Sequence, residues 1–124
     1  MQKVLFSILI DLLFLHPLFS QDIGQIKTFS DEQYQSGNHQ VALKEYQRVL
    51  LFDTYRQFTD IYYKIATIYF LEDNYKEAIK YYNMAWNVEH NDSSRNELVF
   101  LKALCFFKQS GDFVSARYLI RKLC

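Results

Sequence analysis

Apolar residues recur every three or four positions from residue 21 to the end of the chain, the spacing of amphipathic helices. Turn-prone pairs interrupt this pattern at Gly37-Asn38, Asp73-Asn74 and Gly111-Asp112, and a polar stretch follows His90. The sequence has no strand-like alternation and no hairpin dipeptide. It therefore predicts an all-α fold of six helices.

Capping signals predict where these helices begin. Asp22 or a neighbour is expected to cap the first helix. Thr54 with Gln57 fits a capping box, which predicts that the third helix starts directly after Thr54. Ser94 with Glu97 fits a second box at the start of the fifth helix. Apolar residues are expected on the inner faces of helices two to six. They are Ala42, Leu43, Tyr46, Val49 and Leu50 in the second helix, and Phe58, Tyr62, Ile65, Ala66, Tyr69 and Phe70 in the third. They are Ala78, Tyr82 and Ala85 in the fourth helix, Leu98, Phe100, Ala103, Leu104 and Phe107 in the fifth, and Phe113, Ala116, Ile120 and Leu123 in the sixth.

Residues 1–20 differ from the rest of the chain. A weakly positive start is followed by an almost wholly apolar run, residues 4–15, and then by Pro17 and small Ser20. This order is typical of a secretory signal peptide that is cleaved after Ser20. An uncleaved membrane anchor and an ordinary core helix are the alternatives. Cleavage would leave residues 21–124 as an exported domain in the periplasm, the cell envelope or the medium.

Three segments of the chain align as an internal repeat. Each has a turn pair, an aromatic ring in the next position, and an alanine three residues after the ring. The alanines are Ala42, Ala78 and Ala116, which lie 36 and 38 residues apart. Carried upstream, the same alignment matches Phe29 and Ile65 with Ala103, matches Ile26 and Tyr62 with Phe100, and places bulky Leu104 opposite small Ser30 and Ala66.

On these residues the chain resembles the tetratricopeptide repeat (TPR) family, whose repeats are helical hairpins of about 34 residues. The repeats would cover about residues 23–56, 59–92 and 97–124. The resemblance implies a right-handed superhelical array of three antiparallel helix pairs, an α-solenoid that follows the signal sequence. It also implies that function lies on a concave surface lined by the first helix of each pair. Leu104 departs from the family pattern, as do Thr54 and His90 where proline is common.

By this register the concave face carries aromatic, aliphatic and lysine side chains, which suits an extended or helical segment of another protein. The alternative is that its apolar members form packed interior. Asp31 would repel a carboxylate, so the family's clamp for chaperone C-termini is not expected here. The predicted partner-binding residues are Lys27, Tyr34, Tyr63, Lys64, Thr67, Phe70, Leu98, Leu101, Lys102 and Lys108.

Composition excludes several classes of function. Lys and Arg total 14, and Asp and Glu total 14, so the formal net charge is zero and nucleic-acid binding is disfavoured. The sequence shows no catalytic constellation, metal cluster or phosphate-binding loop, so neither an enzymatic activity nor a cofactor is expected. His90 beside Asp92 is interpreted as a solvated histidine at a helix end. Cys105 and Cys124 are interpreted as ordinary thiols.

The leading hypothesis is an exported, non-enzymatic adaptor or scaffold with a protein or peptide partner and no membrane span in the mature chain. Two alternatives remain: the N-terminal repeat portion of a larger exported enzyme, transport or signalling protein, and a membrane-anchored assembly factor. The apolar last helix also predicts further repeats, docking on a partner, or self-association through this end.

Overall fold

The computed structural model describes residues 2–9, 22–111 and 113–121. Within these ranges the chain has seven helices and no strand, which confirms the all-α prediction. Residues 2–9 form a short helix with exposed side chains. None of the described helices combines the length and the apolar character needed to cross a membrane. The six remaining helices are α1 (Ile23–Gln35), α2 (His39–Phe52), α3 (Asp60–Leu71), α4 (Tyr75–Val88), α5 (Asp92–Ser110) and α6 (Phe113–Arg121).

Four predictions fall on residues outside the described ranges. They are the cleavage after Ser20, the turn residue Asp112, the inner-face position of Leu123 and the thiol of Cys124. The inner-face position of Ile120 concerns a side chain that is also outside the description.

Consecutive helices pack against each other, and the closest partners are α1 with α2, α3 with α4, and α5 with α6. A left-handed residue follows the first helix of each pair: Gly37 at φ 77°, Asp73 at φ 59° and Gly111 at φ 62°. This conformation ends a helix and reverses the chain, and glycine adopts it without strain. The first residues of the three predicted turn pairs, Gly37, Asp73 and Gly111, therefore share one backbone conformation at equivalent positions.

Asp22 caps α1 as predicted, since its side chain accepts a hydrogen bond from Gly24 N. The predicted start of α3 after Thr54 is wrong, because the helix begins at Asp60. The nearly buried Asp53 accepts hydrogen bonds from Gln57 N and Phe58 N at 3.0 and 3.1 Å and holds this segment as a loop. Arg56 within it has a left-handed φ of 51°, which a helix does not allow.

The start of α5 also differs from the predicted capping box. The helix begins at Asp92, and the side chain of Asn91 caps it by accepting a hydrogen bond from Ser94 N at 3.1 Å. Arg95 then ties α5 to α4: its Nε donates to the carbonyl of Glu89 at 2.8 Å, and its guanidinium lies 4.3 Å from the Trp86 ring centroid.

The core consists of two clusters, one at each junction between helix pairs. Ile61, Ile65 and Ile68 of α3 pack with Ala42 and Tyr46 and their neighbours in the first cluster. In the second cluster α5 contributes Leu98 and Cys105, which pack with residues of α3 and α4. Ala42 and Ala78 are fully buried and Ala116 is 7 % exposed, so small side chains stand at the equivalent position of all three second helices. Burial at these alanines lets paired helices approach closely.

The upstream alignment of α5 is wrong by one residue. Ala103 is 2 % exposed whereas Leu104 is only half-buried, so Ala103 is the residue equivalent to buried Ser30 and Ala66. A shift of 37 residues likewise matches Ile61 with Leu98 and Ile68 with Cys105, all buried. The reason is that α5 holds one extra residue between Ala103 and the left-handed Gly111.

Ring contacts support this corrected register. In each pair, an aromatic residue near the end of the first helix meets the ring that begins the second helix. The pairs are Tyr34–His39, Phe70–Tyr75 and Phe107–Phe113, with centroids 6.0, 5.6 and 5.0 Å apart. Phe107, rather than Lys108, is therefore the counterpart of Tyr34 and Phe70.

Candidate functional site

An ion network joins the first helices of the first two pairs. Lys27 Nζ of α1 lies 2.7 Å from Asp31 Oδ2 and 3.0 Å from Asp60 Oδ2 of α3. Lys64 Nζ of α3 lies 2.7 Å from Asp31 Oδ1 and 2.8 Å from Asp60 Oδ2. Two lysines and two aspartates therefore neutralise one another, and Lys27 and Lys64 are not the free cations that a lysine-flanked groove would require.

A tyrosine of α2 forms a hydrogen bond with the ion network. The fully buried Tyr46 of α2 donates its hydroxyl hydrogen bond to Asp31 Oδ1 at 2.6 Å. Burial, together with this bond, raises the pKa of Tyr46 well above its ordinary value. Burial alone would raise the pKa of Asp31, but hydrogen bonds from Lys27, Lys64 and Tyr46 outweigh it and lower the pKa of Asp31 to about 2. Asp31 is therefore a permanently charged anchor at physiological pH.

At the junction between the second and third helix pairs, other side chains make equivalent contacts. Tyr63 occupies the position of Lys27, Glu97 that of Asp60, and the Tyr63 hydroxyl donates to Glu97 Oε1 at 3.1 Å. Tyr82 occupies the position of Tyr46, and Thr67 occupies that of Asp31. The Tyr82 hydroxyl lies 3.4 Å from Thr67 Oγ1. Burial raises the pKa of Tyr82 to about 12. The first helices α1, α3 and α5 therefore meet edge to edge along one face, which we call the first-helix face.

A groove of about 290 Å³ opens on this face between α3, the end of α4 and the start of α5. Ala85, Val88 and Leu98 supply apolar lining. Glu89 and Glu97 supply carboxylates, and Glu89 Oε1 accepts hydrogen bonds from the backbone N–H groups of His90 and Asn91, both at 2.8 Å. The groove, called the α3–α5 groove below, is lined by Thr59, Asp60, Tyr63, Lys64, Ala85, Val88, Glu89, Ser94, Glu97 and Leu98.

The groove is acidic once internal pairs are counted. The network of Lys27, Asp31, Asp60 and Lys64 sums to zero, so the remaining charged groups of the lining are the carboxylates of Glu89 and Glu97. Among the described residues neither forms an ion pair with a lysine or arginine, and Arg95, which interacts electrostatically with Glu89, lies outside the lining. Tyr63 satisfies one oxygen of Glu97 with a neutral hydroxyl, so that charge persists. The site therefore favours a cation rather than the anion that lysines would attract.

The structure brings together four of the predicted binding residues: Lys27, Tyr63, Lys64 and Thr67. Leu98 is 4 % exposed and forms part of the groove lining, while Leu101 packs on the second core cluster. Tyr34 and Phe70 belong to the ring pairs, Lys102 is half-buried, and Lys108 is exposed near the end of α5.

Lys102 is in an unusual position. The 37-residue shift places it at the position of fully buried Ile65. Burial lowers the pKa of the Lys102 ammonium. Within the described ranges no carboxylate forms an ion pair with it.

Asp60, Glu89 and Glu97 were not among the predicted site residues. Asp60 and Lys64 are four residues apart, and that spacing could have revealed a helical ion pair. The capping-box interpretation of Glu97 concerns only the start of α5 and does not predict its hydrogen bond with Tyr63 of α3. Glu89 lies beyond the last residue of α4, where no periodic pattern applies.

Comparison with known proteins does not identify a family for this chain. No family model matches the sequence, and no curated protein is significantly similar to it. Among the described residues, His, Cys, Asp and Glu side chains form no group of three or more that could hold a metal ion.

Proposed function

We propose that this chain is a TPR-like, non-enzymatic adaptor that holds a segment of a partner protein on its first-helix face. We infer that the signal sequence directs it out of the cytoplasm, as the order of charge, apolar run and breaker in residues 1–20 favours. The repeated ring, hydroxyl and cross-pair contacts support a three-copy array with a common concave side.

The α3–α5 groove carries the proposal. It combines an aromatic ring, an apolar lining and, besides the lysine-paired Asp60, two further carboxylates in a space of about 290 Å³, enough for one side chain and its flanking backbone. A lysine or arginine of the partner would reach Glu89 and Glu97 while its aliphatic stem lies on Val88 and Leu98. The partner is therefore an extended or helical segment with at least one basic residue.

Selection from a random peptide library tests this function directly. The purified chain should enrich sequences that contain Lys or Arg next to an apolar residue. Glu97→Lys should weaken binding of the selected peptides by about tenfold or more, because it reverses one charge inside the groove. The matched control is Glu77→Lys on α4, which lies outside the groove and should bind like the wild type. Failure to enrich any sequence, or equal binding by the two variants, would refute the proposal.

A further inference from the structure

The two ends of the helix array carry different charges. At the first end, α1 exposes a polar face around Phe29, whose side chain is 44 % exposed. Gln25 and Glu32 flank Phe29 on this face, and Asp22 stands at its start. We call this surface the acidic end.

At the other end, α5 and α6 enclose an apolar cleft of about 410 Å³. Two arginines of α6, Arg117 and Arg121, stand one helical turn apart among its lining residues. Neither arginine forms an ion pair with any residue that the structure describes. The apolar lining of this basic end comes from Phe100, Ala103, Leu104, Phe107, Phe113 and Ala116.

The junction between α2 and α3 shows how two such surfaces fit. There Ile61, Ile65 and Ile68 of α3 share a buried cluster with Ala42 and Leu43 of α2. Further along this junction, the Gln47 side chain donates to the Tyr69 hydroxyl at 3.3 Å.

The repeat register transfers this junction to the two ends of the molecule. The residues of α1 equivalent to the three isoleucines are Gln25, Phe29 and Glu32. The residues of α6 equivalent to Ala42 and Leu43 are Ala116 and Arg117. By the repeat register, the two ends therefore correspond to the two sides of the α2–α3 junction. Glu32 takes the place of Ile68, and Arg117 takes the place of Leu43. Opposite charges stand where two apolar side chains share a cluster inside the molecule.

We propose that copies of this chain associate head to tail, with α1 of one molecule docked in the α5–α6 cleft of the next. Phe29 enters the cleft and Glu32 faces Arg117. A second copy fits better than an unrelated partner because this chain itself carries both the shape and the complementary charge. The interface is heterologous, so association continues into open chains rather than stopping at a two-fold dimer. A two-fold arrangement through the cleft would oppose arginines to arginines.

Sedimentation velocity of the purified full chain over a wide concentration range tests this proposal. The wild type should shift from monomer to longer species as its concentration rises. Added salt should weaken the association, because exposed ion pairs are screened. Arg117→Glu and Glu32→Arg should each weaken association by about tenfold or more. An equimolar mixture of these two variants should recover it, because each reversed end then meets an end of opposite charge.

Controls separate this proposal from the proposed function. Glu97→Lys alters the α3–α5 groove and should leave self-association unchanged, whereas Arg117→Glu should leave peptide binding unchanged. Phe29→Ser removes the anchor without changing charge and should also weaken association. Circular dichroism confirms that each variant is folded. A wild type that stays monomeric at every concentration, as it would if residues 2–9 filled its own cleft, overturns the proposal. Folded variants that associate like the wild type, or that fail to recover when mixed, overturn it as well.

Discussion

Replacing Asp31 by asparagine measures how much the ion network stabilises the junction between α1 and α3. The substitution keeps the shape of the side chain and an acceptor for Tyr46, but it removes the charge that Lys27 and Lys64 share. Lys27 and Lys64 both retain Asp60 as a partner, so neither ammonium group is left wholly unpaired. The change is therefore a loss of one carboxylate charge at fixed geometry.

The pKa of Asp31 sets the magnitude. It is lowered to about 2 in the folded chain, against about 3.9 in an unfolded one, and a gap of about two units corresponds to roughly 2.5 kcal/mol. The Asp31 side chain is 25 % exposed, so solvent screening reduces this figure to about 1–2 kcal/mol. Asp31→Asn should lower the melting midpoint at neutral pH by about 5–15 °C.

The pH dependence gives the sharper test. A carboxylate whose pKa is lowered by folding adds stability above its unfolded pKa and loses it as the pH falls through its folded pKa. Urea unfolding followed by circular dichroism should therefore show the wild type and Asp31→Asn converging between about pH 4 and about pH 2. Glu45→Gln is the matched control. The pair that Glu45 forms with Arg48 is longer, at 3.4 Å, so this substitution should change stability by less than about 0.5 kcal/mol. Parallel curves for the wild type and Asp31→Asn down to the lowest pH would refute the reasoning.

Three further variants or measurements test other parts of the structure. Asp53→Ala leaves two backbone N–H groups of the α2–α3 loop without their acceptor and should destabilise the fold by about 1–3 kcal/mol in urea unfolding; no change would show that water replaces the carboxylate. Lys102→Met should stabilise the fold by about 1 kcal/mol, since burial lowers the pKa of the ammonium. The gain should shrink as the pH rises, because the wild-type lysine loses its proton in the folded chain at a lower pH than in the unfolded chain. The buried Cys105, whose pKa burial raises to about 11, should be alkylated at least about tenfold more slowly in the native chain than in urea by site-resolved mass spectrometry, and equal rates would contradict its burial.

Local chemistry explains why part of the fold was predictable. Turn residues at Gly37, Asp73 and Gly111, and the alanines that follow them, act over a few positions, so the helix pairs could be predicted from sequence. The start of α3 could not, because the carboxylate of Asp53 captures backbone N–H groups four and five residues later and holds the loop open. The predicted register of α5 was wrong because the turn and the buried alanine of this helix are one residue further apart than in α3.

The candidate site was less predictable because its contacts join distant parts of the chain. The pairs Lys27–Asp31 and Asp60–Lys64 have helical spacing and could be anticipated. The bond from Lys64 to Asp31 spans 33 residues and depends on how neighbouring pairs stack. Only that stacking turns a lysine-rich face into a neutral network beside an acidic groove.

The single tryptophan of this chain lies at the junction between the second and third helix pairs. Arg95 covers the Trp86 ring where α4 passes into α5, so fluorescence reports whether those two helices remain joined. Among the described helices, the main contacts of each pair outside itself are with the pair next to it, and helix-pair arrays of this kind can lose terminal units before the whole structure unfolds. Fluorescence and circular dichroism would then give different midpoints, and their difference would measure how independently the third helix pair unfolds.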